Sequence, residues 1–439
     1  MKFAKSYIVL MLLGLFSLTS CEDYFGDINQ DPDNPLEVTP GALLPQIQVR
    51  LAYTLGGDAS RYTGIYTQHI DGVTRQFTVY QNYGLQPTDV GNLWSNLYTG
   101  IMADNRQLLR LAEDGGFNDY IGVSKAIEAY TMLLTTDLWG DVPYSQAFQG
   151  TETLQPTFDA QQEVYNSIFA LINEARAAFD ADSGPLVPGG DDLFFGGNME
   201  QWQKFISLLE ARAYLHLGAV DDANYGAALN AVQKAGMTGR ADDARVKFGS
   251  PATENAPWFQ YIDQRDDIEV GSNYVAMFDP LDPRLDVFGA PLDLPHPYFA
   301  ADQDFPVLTY TEAKFIEAET EFRVNGAAAA HQAYLDGIRS SIGDAGIADE
   351  AAINAYLAVA DPGEGNLTLE QILTQKYLSL FADPEVYNDW RRTGIPSLTP
   401  NTGTQIPLRL PYPQSEIDSN DNTPSPGTVT QFTAVWWDK

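Results

Sequence analysis

The sequence predicts a mainly α-helical fold, a degenerate helical-repeat scaffold decorated with long ordered loops. Three observations carry that expectation. From about residue 93 onward, apolar residues recur at helical spacing. Several of the resulting helices come in pairs joined by short turns containing Gly or Asp. Between them lie blocks with too many prolines for a helix bundle and too many aromatics for a solvated linker. The 439 residues are 44% apolar and 19% charged, the composition of a folded globular protein.

Taken in order, Asn92–Glu113 is the first expected helix, with Trp94, Leu97, Tyr98 and Ile101 as its apolar stripe. The turn Asp114-Gly115-Gly116 leads to a partner helix, Asp119–Asp137, carrying Ala126 and Tyr130. This pair resembles a tetratricopeptide unit, although no 34-residue repeat is exact. Phe158–Asp180 follows, then Glu200–Leu217, where Trp202, Ile206, Leu209, Ala213 and His216 fall on one stripe. Asp222–Ala235 comes next. Thr311–Val324 and Ala327–Ser341 form a hairpin across Asn325-Gly326, and Leu369–Phe381 repeats the pattern with Leu369, Ile372, Leu373, Tyr377 and Leu380. Loop blocks are expected at 53–91, 183–199 and 240–308, the last with eight prolines from Pro251 to Pro306, and a proline-rich apron covers 395–439. Ordered loops of that length usually carry function.

Residues 1–20 read as a cleaved secretory signal. Lys2 and Lys5 supply its positive region, and the apolar run Tyr7–Leu18 spans about 18 Å as a helix, short of the ~30 Å hydrocarbon layer. Leu18-Thr19-Ser20-Cys21 resembles the lipobox of bacterial lipoproteins, which makes the only cysteine, Cys21, the expected lipidation site. Residues 21–39, with Glu22, Asp23, Asp27 and the Asn/Asp/Pro-rich stretch Asn29–Pro35, read as an acidic tether. An acidic cluster in that position resembles the surface-export signal of Bacteroidota lipoproteins. Residues 40–439 are then expected to form one domain.

Charge and residue usage exclude several functions. Lys plus Arg number 25 and Asp plus Glu 59, so the formal charge is 25 − 59 = −34, a field that repels nucleic acid. One cysteine allows no intrachain disulfide, and a His-rich metal centre would need His69, His216, His296 and His331 to converge. The motif Asp418-x-Asn420-x-Asn422 begins like a calcium loop but has Thr423 where the turn glycine belongs. No nucleophile elbow, His-Glu-x-x-His helix or phosphate-cradling loop is present in the sequence. No catalytic residue, metal or cofactor is therefore expected. Trp139-Gly140-Asp141-Val142-Pro143-Tyr144 reads as helix termination. Trp390-Arg391-Arg392 beside Asp389 reads as a guanidinium cluster pinning the last helices to the apron.

Several segments, in this order, resemble the SusD/RagB-like outer-membrane nutrient-binding lipoproteins. They are the lipobox with its acidic follower, Asp137–Tyr144, Leu209-Glu210-Ala211-Arg212-Ala213-Tyr214 and Asp282-Pro283-Arg284-Leu285. The Glu312–Glu319 helix, Gln371 through Asn388-Asp389-Trp390-Arg391-Arg392, Arg409–Pro413 and the terminal Trp436-Trp437-Asp438 complete the set. The resemblance covers essentially the whole chain. It implies a tetratricopeptide-like frame and a surface lipoprotein that acts as the ligand-capturing lid of a SusC-like TonB-dependent transporter. Such proteins bind glycans, or peptides in some branches, and perform no chemistry.

Glycan recognition needs aromatic faces for the apolar side of a sugar ring and polar groups for its hydroxyls. The loop blocks supply both. The expected ligand-binding residues are Trp258, Tyr261, His69, Arg75, Tyr80 and Tyr298, with Gln76, Gln264 and Arg265 among their polar neighbours. The negative field favours a neutral oligosaccharide unless Arg75 or Arg265 compensates locally. Three rivals stand beside this reading: a peptide ligand held through Asn, Gln and Arg, a surface glycosidase, and a purely structural lipoprotein.

Overall fold

The computed structural model describes residues 38–438. The leader, Cys21 and the acidic cluster behind it fall outside the described residues. In chain order the first helices are α1 (Pro40–Thr54), α2 (Ser60–Tyr66), α3 (Phe77–Gln81), α4 (Gly91–Ser95), α5 (Ala103–Gly115) and α6 (Asn118–Trp139). Next come α7 (Gln161–Phe179), α8 (Met199–Leu217), α9 (Ala223–Ala235), α10 (Pro257–Gln264), α11 (Ser272–Ala276) and α12 (Leu285–Phe288). The last are α13 (Tyr310–Asn325), α14 (Ala327–Asp344), α15 (Glu350–Ala360), α16 (Leu369–Ser379), α17 (Glu385–Thr393) and α18 (Gln414–Ser419). Short π-helical stretches, Leu55–Ala59 and Asn96–Met102, join α1 to α2 and α4 to α5.

The frame is a chain of helical hairpins: α6 packs on α7, α8 on α9 and α13 on α14, with α9 against α13 linking the pairs. α6 runs through the middle and is buried on nearly every side, from Tyr120 to Trp139. A second cluster of buried residues, including Phe315, Tyr334, Ile338, Tyr356 and Ile372, fills the space among α13, α14, α15 and α16. Helix starts follow their side chains. Asn198 accepts from the amides of Glu200 and Gln201 at α8, and Thr368 and Gln371 form a capping box at α16.

The segment Trp139–Tyr144 ends α6 as its residues dictate. Gly140 sits at φ 79°, a conformation open to glycine, and Asp141 accepts from the amide of Gln161 at 2.8 Å to start α7. The apron closes over this corner: Leu410 N donates to Leu138 O (2.8 Å), Trp139 Nε1 to Pro411 O (2.8 Å) and Tyr412 Oη to Asp141 O (2.7 Å).

Beneath it lies a buried ionic network. His216 bridges Asp137 (3.2 Å) and Glu385 (2.7 Å), while Trp437 stacks on its ring and donates to Asp137 at 2.9 Å. Arg212 forks onto Glu312 at 2.7 and 2.5 Å, and Arg392 binds Glu319 and Asp389. Burial opposes the charged imidazole, but Glu385 and Asp137 outweigh it and carry His216 up to about 9.

The structure departs from the sequence expectation in the first loop block. Residues 40–66 are helical almost throughout, and α3 and α4 follow within 53–91. Pro45 inside α1 and the breaker pair Gly56-Gly57 hide the periodicity, and the chain kinks at Gly57 (φ −100°, ψ −126°) without stopping. Gly56 is needed for space, because a Cβ there would strike Phe305 and Pro257. α10, α15 and α17 were likewise not expected as separate helices; α10 starts at Pro257, whose missing N–H is harmless at a helix start.

Two antiparallel ribbons order the loop blocks, one joining the first block to the third and one closing the third on itself. β1 (Ile70–Gly72) pairs with β3 (Ile268–Val270), Ile70 opposite Val270. β2 (Ala244–Val246) pairs with β4 (Phe305–Leu308), with a register shift after Ala244. The first ribbon brings α2 and α3 to face α10 across the candidate site.

Candidate functional site

The kink at Gly57 turns Asp58 and the first turn of α2 toward α10, and a cleft of about 570 Å³ opens between them. Tyr53, Asp58, Arg61 and Tyr62 line one wall, Gln76, Phe77 and Tyr80 the floor beside β1, Asp89 and Asn92 one end, and Pro257, Gln260, Tyr261, Gln264 and Arg265 the opposite wall. At 3.6 residues per turn Pro257, Gln260, Tyr261 and Gln264 fall within an arc of about 100° on α10 and face the cleft, while Trp258, about 60° past Tyr261, lies beyond that arc and turns inward.

At the centre, Arg61 donates to Asp58 at 2.8 Å and lies 4.3 Å from the ring centroid of Tyr261. Tyr261 meets Phe77 edge-on at 6.0 Å, Phe77 meets Tyr80 at 5.1 Å, and Tyr80 meets Tyr62 at 5.7 Å. Tyr62 Oη donates to Asp89 O (2.9 Å), and Gln260 Nε2 donates to Tyr53 Oη (2.8 Å). Burial pushes the phenols of Tyr62, Tyr80 and Tyr261 above their ordinary range, so all three remain protonated at physiological pH.

Two polar atoms of the central unit, Arg61 Nε and Tyr261 Oη, are buried with no hydrogen-bond partner among the described residues. Each costs about 1–3 kcal/mol in that state. An acceptor-rich ligand that displaced the Arg61 side chain from the Tyr261 ring would reach and relieve both. Two carboxylates, Asp58 and Asp89, face two guanidinium groups, Arg61 and Arg265, so the lining is charge-balanced on a chain of net charge −34.

The sequence candidates divide. Tyr80 and Tyr261 line the cleft together with Gln76, Gln264 and Arg265. Trp258 and Tyr298 do not. They border a separate cavity of about 70 Å³ behind α10, where Trp258 is 4% exposed and stacked on Phe299 at 4.9 Å. Arg75 lies outside the lining and is paired with Asp266 at 2.7 Å and with Asp267. His69 is 0% exposed, wedged between Tyr274 and Tyr377, and its Nδ1 accepts from the amide of Ala382 at 2.9 Å; it fixes the α16–α17 loop and is out of a ligand's reach. Sequence reasoning missed Tyr53, Asp58, Arg61, Tyr62, Asp89, Asn92 and Gln260, all of which face the cleft. The signal available was the spacing Asp58, Arg61, Tyr62, which becomes informative once residues 55–66 are read as helical.

Other polar motifs serve architecture. Asn420 donates to Pro156 O (3.0 Å), and no group of three His, Cys, Asp or Glu side chains among the described residues is arranged to hold a metal ion. Among the same residues no helix is long and apolar enough to cross a membrane.

Comparison with known proteins places this architecture. A SusD-like family model, described as starch-binding and associating with the outer membrane, matches residues 32–296 and 293–413. A SusD/RagB family protein from Bacteroides thetaiotaomicron superposes with a TM-score of 0.74 at 21% identity, covering 92% of this chain and 99% of that one. A chitin-binding protein gives 0.76 at 22% identity over 91% and 100% of the two chains. A SusD homologue from Bacteroides fragilis gives 0.75 at 23% over 92% and 100%. No curated protein matches the sequence. At these identities the solved structures establish a shared fold.

Proposed function

The chain belongs to the SusD-like family of starch-binding proteins that associate with the outer membrane, and from that premise we propose that it is a lipid-anchored surface receptor for a neutral glycan. Its ligand would lie in the cleft between α2 and α10 and pass to a SusC-like TonB-dependent transporter, with Cys21 carrying the anchor. The observation that supports this reading is the lining itself: amide, phenol and guanidinium donors converge on a space of about 570 Å³ whose fixed charges balance. Such a surface suits hydroxyls and ring oxygens. Arg61 covers one face of Tyr261, so hydrogen bonding contributes more than ring stacking, a shift from the aromatic platform expected from sequence. The protein binds and presents; it performs no chemistry.

One observation favours a second reading. Gln76, Gln260, Gln264 and Asn92 give the cleft the amide-rich character that suits a peptide backbone. Calorimetric titration of the purified protein against starch, chitin, xylan and fructan oligosaccharides and a peptide digest separates the two, with reducing ends monitored in the same samples. Saturable heat with a glycan and no new reducing ends supports the receptor. Heat with peptides alone transfers the site to the second reading, and glycan turnover contradicts both.

A further inference from the structure

Past Tyr53 the cleft continues. A groove of about 460 Å³ shares that tyrosine and runs along the outer face of α1, lined by Pro45, Gln46, Val49, Arg50 and Asn96. Arg50 is exposed at its centre, one helical turn from Tyr53. Its stem rests over Gly100, where a Cβ would collide with Arg50 Cδ, and Nη1 donates to Asn96 Oδ1 at 3.3 Å. The guanidinium is thus placed by its neighbours.

It is also unneutralised. Arg61, Arg75 and Arg265 each have a carboxylate within ion-pair distance, whereas Arg50 has none among the described residues. Asp104, bonded to Gln46 at 2.9 Å, is the acid at the far end of the groove. Arg50 is the one charged side chain among the described residues lining the groove, beside a cleft whose charges balance, on a chain of −34. A guanidinium fork held open in this way matches the two oxygens of a carboxylate or sulfate.

We propose that Arg50 forms an anion-accepting subsite adjoining the neutral one. The ligand is then an oligosaccharide in which a residue beside the segment held in the cleft carries a uronate carboxylate or a sulfate ester. This inference rests on the glycan reading given above and changes its ligand from a wholly neutral chain to one in which a residue beside the neutral segment is acidic.

The test is calorimetry with matched pairs: starch oligosaccharide and the same chain partly oxidised to glucuronate, xylan oligosaccharide without and with its glucuronate branch, and galactan oligosaccharide without and with a sulfate ester. One acidic member is expected to bind about tenfold more tightly than its neutral partner. The advantage should shrink as salt is raised. In Arg50→Gln the ratio should fall to about one, and in Gly100→Ala, which displaces the stem, it should fall partway. Whether the glucuronate or the sulfate pair shows the gain identifies the anion. No gain in any pair, or a gain that Arg50→Gln leaves in place, overturns the subsite while the glycan reading stands. Absence of binding by every member of every pair overturns the glycan reading and the subsite with it.

Discussion

Replacing Tyr261 by Phe should push stability and affinity in opposite directions. The hydroxyl is buried without a hydrogen-bond partner, so the free protein carries a desolvation cost of about 1–3 kcal/mol that Phe removes. The ring keeps its packing against Phe77 at 6.0 Å and beneath the Arg61 guanidinium at 4.3 Å, so little is lost in exchange. The variant should therefore unfold at a higher denaturant concentration, with an unchanged denaturant slope. Bound ligand supplies the missing acceptor, worth about 0.5–1.5 kcal/mol net, so the dissociation constant should rise roughly two- to tenfold. Urea unfolding of both proteins, paired with calorimetric titration of the ligand found in the panel, reads the two effects. A variant that is less stable, or one that binds as tightly as the native protein, would refute the view that this hydroxyl is held for a ligand.

Other consequences can be measured separately. His216, carried up to about 9 from about 6.5 in the unfolded chain, contributes stability that is complete below about pH 6.5 and lost as pH rises through about 9. On the order of 3 kcal/mol should disappear over that window in the native protein and not in His216→Gln, followed by denaturant midpoint against pH. Trp258→Ala should lower stability by about 3–5 kcal/mol through the void it leaves against Phe299, and alter affinity far less than Tyr261→Ala does. Trp437→Ala, which strips the stack from His216 and the donor from Asp137, should destabilise by a similar amount in thermal melts without touching the cleft. Cys21→Ser should abolish incorporation of labelled fatty acid and release the protein from the membrane fraction; continued labelling would sink the lipoprotein assignment.

Much of the frame could be read in advance because its helices carry a clean one-sided pattern. Trp202, Ile206, Leu209 and Ala213 are all fully buried, as their spacing along Glu200–Leu217 requires. The region that builds the site was harder to read. In α1 and α2 the helical signal is broken by Pro45 and by Gly56-Gly57, yet those glycines are there to let Pro257 and Phe305 approach and to turn Asp58 toward the cleft. A local rule is broken where the site is made. The aromatic vocabulary of the loops identified the two blocks that meet but could not say which faces of them do. Tyr261 and Trp258 are three residues apart on one helix, and only the direction of α10 assigns one to the cleft and the other to the interior. His69 shows the same limit: a histidine in a polar aromatic loop looks available, whereas its contact with Ala382, distant in sequence, makes it a fixed part of the core.

The central claim is that a glycan lies in the cleft between α2 and α10, and a crystal structure of the protein soaked with the tightest-binding oligosaccharide tests it most directly. Intact sugar density against Arg61, Gln260 and Gln264, with Tyr261 Oη now within hydrogen-bond distance of a sugar oxygen, is the result predicted. A saccharide bound elsewhere with this cleft empty, or a cleaved product within it, would contradict the account.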